Sequence, residues 1–159
     1  MKVITTFICA ILLFSCNSIH KNSEKIMDKD VFPKGKLIGS NPNFTGNAWL
    51  QMFVTATDSL DCTVANVTFE AGVRNSWHSH PGGQILLCTS GKGYYQEKGK
   101  DIQLLLPGDV IKIYPNVVHW HGATPDSQFT HIAIGTQITK GSADWFAPVT
   151  DEEYKKDIK

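Results

Sequence analysis

Residues 72–91 have the sequence GVRNSWHSHPGGQILLCTSG, and this stretch decides the fold. It contains two histidines, His78 and His80, in an extended segment that a Pro-Gly-Gly turn follows. Successive side chains of a β-strand point to opposite faces, so residues two apart share a face. We therefore expect both imidazoles to point to one side, and Gln84 to return toward the same space after the turn.

A second histidine pair repeats this arrangement further along the chain. His119 and His121 are again two residues apart, in a segment that reads as a strand. A single pair of this kind is weak evidence, because surface and core histidines are both common. Two pairs are stronger, since two strands that face one interior can present three or four ligand atoms to one ion. The sequence therefore predicts a metal site.

The residues around these pairs read as short strands separated by turns. The chain has 13 glycines and 7 prolines, and turn signals recur about every 8 to 12 residues, as in a β-sandwich or β-barrel. A capping box at 150–153 predicts a short C-terminal helix. The predicted strands are 49–55, 62–69, 76–80, 84–89, 94–97, 102–106, 110–114, 118–122 and 129–135.

The spacing of the first pair resembles that of a known family. The pattern Gly72-x5-His78-x-His80-x3-Gln84-x6-Gly91 has every spacing of the first cupin motif. The one departure is Gln84, which stands where that motif usually has glutamate. The resemblance implies an all-β fold, the cupin jelly-roll β-barrel of antiparallel strands.

The second pair follows the second cupin motif, as Gly108-x5-Tyr114-x-Asn116-x2-His119. Here Tyr114 replaces a usual proline and Asn116 a usual glycine. Asparagine is among the few residues that tolerate a positive φ, so we expect Asn116 to keep the turn.

A narrower resemblance covers residues 41–154. The stretches 78–84, 119–123 and 130–134, with the tail segments 143–146 and 149–154, look like a subgroup that includes the manganese-dependent cupin hydroxynitrile lyases, often labelled (R)-mandelonitrile lyases. This resemblance implies a general-base histidine at His121 or at His131. It also implies four metal ligands, which are His78, His80, Gln84 and His119.

The ligand set has a chemical consequence. Three imidazoles and one amide oxygen are neutral, so they leave the 2+ charge of a bound ion uncompensated, whereas a glutamate would cancel one unit. The ion should then be a stronger electrophile toward an oxygen ligand. Imidazole suits Mn, Fe, Co, Ni, Cu and Zn. Manganese is implied by the resemblance alone.

These observations predict a divalent-metal-dependent cupin enzyme that acts on a small oxygen-bearing molecule. The most concrete form is a hydroxynitrile-lyase-like C–C lyase, in which the metal binds the substrate hydroxyl and a histidine base takes its proton. Three alternatives stay open at this point. They are a cupin dioxygenase that uses Fe, Ni or Cu, a non-catalytic cupin that binds a small molecule, and an isomerase or epimerase.

The N-terminus reads as a targeting segment. An apolar run at 3–14 follows Lys2 and is too short to cross a ~30 Å hydrocarbon core as a helix. Residues 13–16 resemble a bacterial lipobox that ends in Cys16. We therefore expect a lipoprotein signal peptide at 1–15, a polar tether at 16–40 and a cupin domain at 41–159. The implied location is the bacterial cell envelope, with the chain anchored to a membrane by a lipid on Cys16 as a periplasmic or outer-membrane lipoprotein.

Composition limits the partners. Fifteen Lys and Arg residues balance fifteen Asp and Glu residues, so the chain has no basic excess and we expect no nucleic-acid partner. We expect a small-molecule substrate, and we leave open a homodimer or a larger homo-oligomer. Arg74 is expected at the surface, and Trp77 and Trp120 are expected to serve in packing.

Overall fold

The structure is a computed structural model that describes residues 31–38 and 41–155. The predicted signal peptide at 1–15, the lipid attachment at Cys16 and the predicted tether as far as residue 30 lie outside the described residues. Within the described ranges, no helix has the length and apolar character needed to cross a membrane.

The chain forms eleven strands and one short α-helix within the part that the structure describes. The strands are β1 Lys36–Ile38, β2 Ala48–Val54, β3 Cys62–Phe69, β4 His78–Ser79, β5 Gln84–Gly91, β6 Gly93–Glu97, β7 Gln103–Leu105, β8 Val110–Ile113, β9 His119–Ala123, β10 Phe129–Thr136 and β11 Asp144–Trp145, and the helix is α1 Asp151–Tyr154.

These strands make two antiparallel sheets. The larger sheet has the order β1-β2-β3-β10-β5-β8, and the smaller has the order β11-β4-β9-β6-β7. Strands that are neighbours in a sheet are often distant in the sequence, as β3 and β10 are. The prediction of an all-β fold with a short C-terminal helix is confirmed.

The main core contains apolar side chains from both sheets. Phe69, Leu86 and Phe129 come from the larger sheet and Leu105 from the smaller one, and all four are fully buried. From Gln84 to Thr89 in β5 the side chains alternate between buried and partly exposed, as the period of two requires. The hydrophobic gain from this burial stabilises the fold and determines which face of each strand points inward.

Two turns position the histidine strands. Gly83 has φ +87°, and a Cβ there would lie 2.9 Å from the carbonyl oxygen of Ile113, so the turn before β5 requires glycine. Asn116 has φ +63°, and its backbone N–H donates to the carbonyl oxygen of His80 at 2.9 Å. The prediction that Asn116 keeps the turn is confirmed, and this bond ties the two histidine segments together.

Arg74 corrects the sequence interpretation, because it is buried rather than at the surface. Its guanidinium donates to the carbonyl oxygen of Val149 and to the Asp151 carboxylate at 2.7 Å, and it lies over the ring of Tyr154. Val149 and Tyr154 of the C-terminal segment pack against Ile102 and the two tryptophans in a second apolar cluster. Trp77 and Trp120 are buried in this second apolar cluster, which confirms their packing role.

Candidate metal centre

Three of the four predicted ligands lie together. His78 on β4 pairs with His119 on β9, and their ring centroids are 4.1 Å apart. His80 follows β4, with its ring centroid 5.1 Å from that of His78 and 5.7 Å from that of His119. One nitrogen from each ring lies within 4.8 Å of the corresponding nitrogens of the other two. Three nitrogens this close can bind one ion.

Gln84, the fourth predicted ligand, reaches this group from the other sheet. Its Oε1 lies 3.4 Å from Nε2 of His119. Burial lowers the pKa of His119 to about 4, so near pH 7 the ring is neutral and carries one N–H. That N–H is on Nδ1, which donates to the carbonyl oxygen of Val117 at 2.9 Å. Nε2 and the amide oxygen are therefore two acceptors that face each other, an arrangement that a cation between them would stabilise.

The other two rings also have a nitrogen available. Nδ1 of His78 donates to the carbonyl oxygen of Ser76 at 3.0 Å, which leaves the lone pair of Nε2 unused. Nε2 of His80 is buried and has no hydrogen-bond partner in the described part of the chain. When a histidine binds a metal through one ring nitrogen, the other ring nitrogen usually donates its N–H to a backbone carbonyl or another acceptor. The residues present therefore fit a divalent transition metal with nitrogen and oxygen ligands.

Burial also favours the protonation state that metals need. It lowers the pKa of His78 well below the ordinary value, and the neighbouring imidazoles lower it further. Burial likewise lowers the pKa of His80. A metal binds the neutral imidazole, so at neutral pH these rings need to lose no proton before an ion binds.

A cavity of about 530 Å³ opens beside the histidines. Its polar lining includes Asn75, His78, His80, Gln84 and His121, and its apolar lining includes Phe44, Leu50, Met52, Val67, Phe69 and Trp145. Among the described residues, no Asp, Glu, Lys or Arg lines it. The cavity therefore favours an uncharged molecule that has a polar group near the histidines and an apolar remainder.

His121 lies on β9, two residues beyond His119, and lines the cavity. Its Nε2 is 3.1 Å from the side-chain nitrogen of Asn75. Its Nδ1 is buried and without a hydrogen-bond partner within the described ranges. Burial, together with the neighbouring imidazoles, lowers the pKa of this ring well below the ordinary value. Its role as a base stays a prediction.

His131 lies on β10 and is fully buried behind His121, with the two ring centroids 4.9 Å apart. Its ring packs nearly parallel to Phe129 at 5.0 Å and to Phe69 at 5.9 Å. Neither ring nitrogen has a hydrogen-bond partner in the described structure, and the ring is not part of the cavity lining there. Its role as a base also stays a prediction.

We expect His131 to make the fold sensitive to acid. Burial lowers the pKa of its ring to about 3. Between that value and the unfolded pKa of ~6.5, the unfolded chain binds a proton that the folded chain rejects, so stability falls as the pH falls. In His131→Phe the ring cannot bind a proton in either state, so this loss of stability is absent. From pH 7.5 to pH 5, the free energy of unfolding should fall by about 2 kcal/mol less than in the wild type.

Urea unfolding of chelator-treated protein at the two pH values measures this difference. Because the chelator removes the metal, acid cannot act through metal binding. The difference between the two proteins at pH 7.5 gives the effect of the phenylalanine ring on packing. An equal acid-induced loss in both proteins would contradict a buried, neutral His131.

Sequence reasoning missed two residues of the site. The ring of Trp145 stacks on that of His78 at 4.7 Å, and Asn75 pairs with His121. Trp145 belongs to the tail segment that carried the narrower resemblance, and Asn75 lies inside the first motif. Both residues thus lie within patterns that the sequence shows, yet no local pattern indicates which histidine either residue would contact.

Comparisons with known proteins agree with the fold described above. A family model described as "Cupin domain" matches residues 65–135. The chain is 41% identical over 113 residues to an (R)-mandelonitrile lyase from Granulicella tundricola, a match that covers 71% of this chain and 86% of that protein. A crystal structure of a cupin-like protein from Thermotoga maritima superposes with a TM-score of 0.77 and 53% identity, and covers 80% of this chain and 96% of that one.

A more distant structure shares the fold alone. It is a DMSP lyase from Ruegeria pomeroyi, with a TM-score of 0.57 and 17% identity over 65% of this chain and 54% of that one. The superpositions confirm the predicted barrel fold.

Proposed function

The chain belongs to the cupin family, and from this premise we propose that it is a divalent-metal-dependent lyase that acts on a small, uncharged, oxygen-bearing molecule. In its most concrete form it cleaves a C–C bond as a hydroxynitrile lyase does. The 41% identity to an (R)-mandelonitrile lyase supports this reaction type, and the match covers most of both chains.

The observation that carries the proposal is the position of three neutral imidazoles beside an uncharged, largely apolar cavity. Each ring has a nitrogen that no protein group uses. The polar end of the cavity suits a hydroxyl or carbonyl oxygen, and the walls at Phe44 and Leu50 suit an aryl or alkyl substituent. A carboxylate substrate would find no cationic side chain among the described lining residues, so an acid is a poorer fit.

His78, His80, Gln84 and His119 would hold the cation. When bound, the cation supplies Lewis acidity toward a hydroxyl or carbonyl oxygen. The reaction also requires proton transfer. The substrate hydroxyl loses a proton as the C–C bond breaks, and cyanide gains a proton and leaves as hydrogen cyanide. Of the two predicted bases, His121 lines the cavity and His131 lies behind it. We therefore assign the substrate contact to His121.

The test is an assay with racemic mandelonitrile as the probe. Protein treated with a chelator should release no benzaldehyde above the background rate. Reloading with Mn²⁺ should restore benzaldehyde and cyanide in equal amounts. Parallel reloading with Fe²⁺, Co²⁺, Ni²⁺, Cu²⁺ and Zn²⁺ identifies the metals that serve, because the ligand types accept all of them.

The same preparations separate the other activities. If the Fe, Ni or Cu form consumes oxygen with a polyphenol or a thiol, the protein is a dioxygenase rather than a lyase. A product of unchanged mass would indicate an isomerase. Tight retention of a small molecule without turnover would indicate a binding protein.

A further inference from the structure

Asn75 and His121 are joined by three hydrogen bonds, although they are 46 residues apart in the chain. The backbone N–H of Asn75 donates to the carbonyl oxygen of His121 at 3.1 Å. The side-chain oxygen of Asn75 accepts the backbone N–H of His121 at 3.0 Å. The side-chain nitrogen of Asn75 lies 3.1 Å from Nε2 of His121. Both residues are buried, with only 2% of Asn75 and 4% of His121 exposed.

These contacts determine which way the Asn75 amide points. In the reverse orientation, its NH₂ group would face the backbone N–H of His121, and two buried donors would lack an acceptor. An unsatisfied buried donor is costly, so the backbone holds the amide in the observed orientation. The NH₂ group therefore faces Nε2 of His121, and a nitrogen that accepts a hydrogen bond carries no proton.

We infer that Asn75 is a positioning residue that holds neutral His121 in the tautomer protonated on Nδ1. With its lone pair at Nε2 engaged, His121 has one ring N–H, at Nδ1, and that atom has no protein partner in the described structure. Nδ1 is therefore the one ring atom from which neutral His121 can donate a hydrogen bond. The ring takes a proton on Nε2 only when the bond from Asn75 breaks.

This bond also distinguishes His121 from its neighbours. His78 and His119 carry their proton on Nδ1 too, because each donates that N–H to a backbone carbonyl. Their Nε2 atoms stay free for a cation, whereas Nε2 of His121 accepts a hydrogen bond from the Asn75 amide. The ring of His121 stacks on that of His119 at 5.9 Å, yet its nitrogens do not belong to the cluster that His78, His80 and His119 form.

The inference rests on the proposed function only for the substrate contact, and the test therefore measures the tautomer directly. The full chain is labelled with ¹⁵N-histidine, and long-range ¹H–¹⁵N correlation spectra are recorded near pH 7.5, metal-free and with the diamagnetic ion Zn²⁺. The His121 signals are identified by their loss in His121→Phe. The matched control is Asn66→Asp, because Asn66 is an equally buried asparagine whose amide donates to the carbonyl oxygen of Pro33 instead.

In the wild type, Nδ1 of His121 should give the shift of a protonated ring nitrogen and Nε2 that of an unprotonated one. In Asn75→Asp the carboxylate cannot donate, so the proton should move to Nε2 or be gained there, while Asn66→Asp keeps the wild-type pattern. A wild-type ring protonated on Nε2, or in rapid exchange between both forms, would overturn the inference even if Asn75→Asp does not fold. An unchanged pattern in folded Asn75→Asp would overturn it as well. Mandelonitrile turnover in the same samples reports separately on the lyase proposal.

Discussion

Replacing His80 by alanine is expected to abolish metal binding. Purified wild-type chain reloaded with Mn²⁺ should hold about one ion after dialysis, and the variant should hold close to none. The physical reason is that His80 supplies one of the three clustered nitrogens, and its Nε2 has no other hydrogen-bond partner in the described structure. Two imidazoles and one amide oxygen then remain, which is too few strong ligands to retain the ion.

His80 is a suitable position because its loss should leave the fold intact. The residue is only partly buried and lies after β4, where its backbone rather than its side chain makes the turn contacts. Elemental analysis gives the metal content, and circular dichroism reports on folding. His121→Phe is the matched control, since it removes a nearby histidine that is not a predicted ligand. Full occupancy in His80→Ala would refute the ligand assignment.

Most of the strands could be predicted from local pattern. Segment 62–69 was predicted with the bounds that β3 has, and the alternation of β5 matches its burial. The capping box at Thr150 begins α1 as expected. These features are local, because side-chain period and turn chemistry act over a few residues.

The elements that the sequence did not predict depend on distant contacts. β1 and β11 are strands of three and two residues at the sheet edges, too short to show alternation, and each exists through its pairing with a neighbouring strand. The burial of Arg74 depends on a C-terminal segment more than 70 residues away. A pattern read along the chain contains none of this information.

The same distinction applies to the site. The shared face of His78 and His80 follows from a spacing of two, and their nearness to His119 was predicted by motif resemblance. The contact of Asn75 with His121 joins the segment before β4 to β9, 46 residues along the chain, so neither residue type nor spacing indicates it. The ligand residues could thus be predicted together, whereas the hydrogen bonds that decide what each ring does required coordinates.

Replacing His121 is expected to slow turnover of mandelonitrile by on the order of 10²–10⁴-fold while the metal stays bound. His121 lines the cavity next to the ligand histidines, and its Nε2 is engaged by Asn75 rather than left free for an ion. Loss of the ring therefore removes the proton-carrying group that contacts substrate but leaves the nitrogens of the other three rings in place. The defect should appear in kcat, because the apolar walls that bind the substrate are unchanged.

Two variants make this expectation specific. His121→Phe keeps an aromatic ring of similar size beside His119, so it preserves packing and removes both nitrogens. His121→Asn leaves a smaller side chain with an N–H group and should lose less activity, because a hydrogen-bond donor remains. Metal content by elemental analysis must equal that of the wild type in both variants. Wild-type turnover in folded, metal-loaded His121→Phe would remove His121 from the reaction and leave His131 as the predicted base, because no other histidine among the described residues lies outside the ligand set.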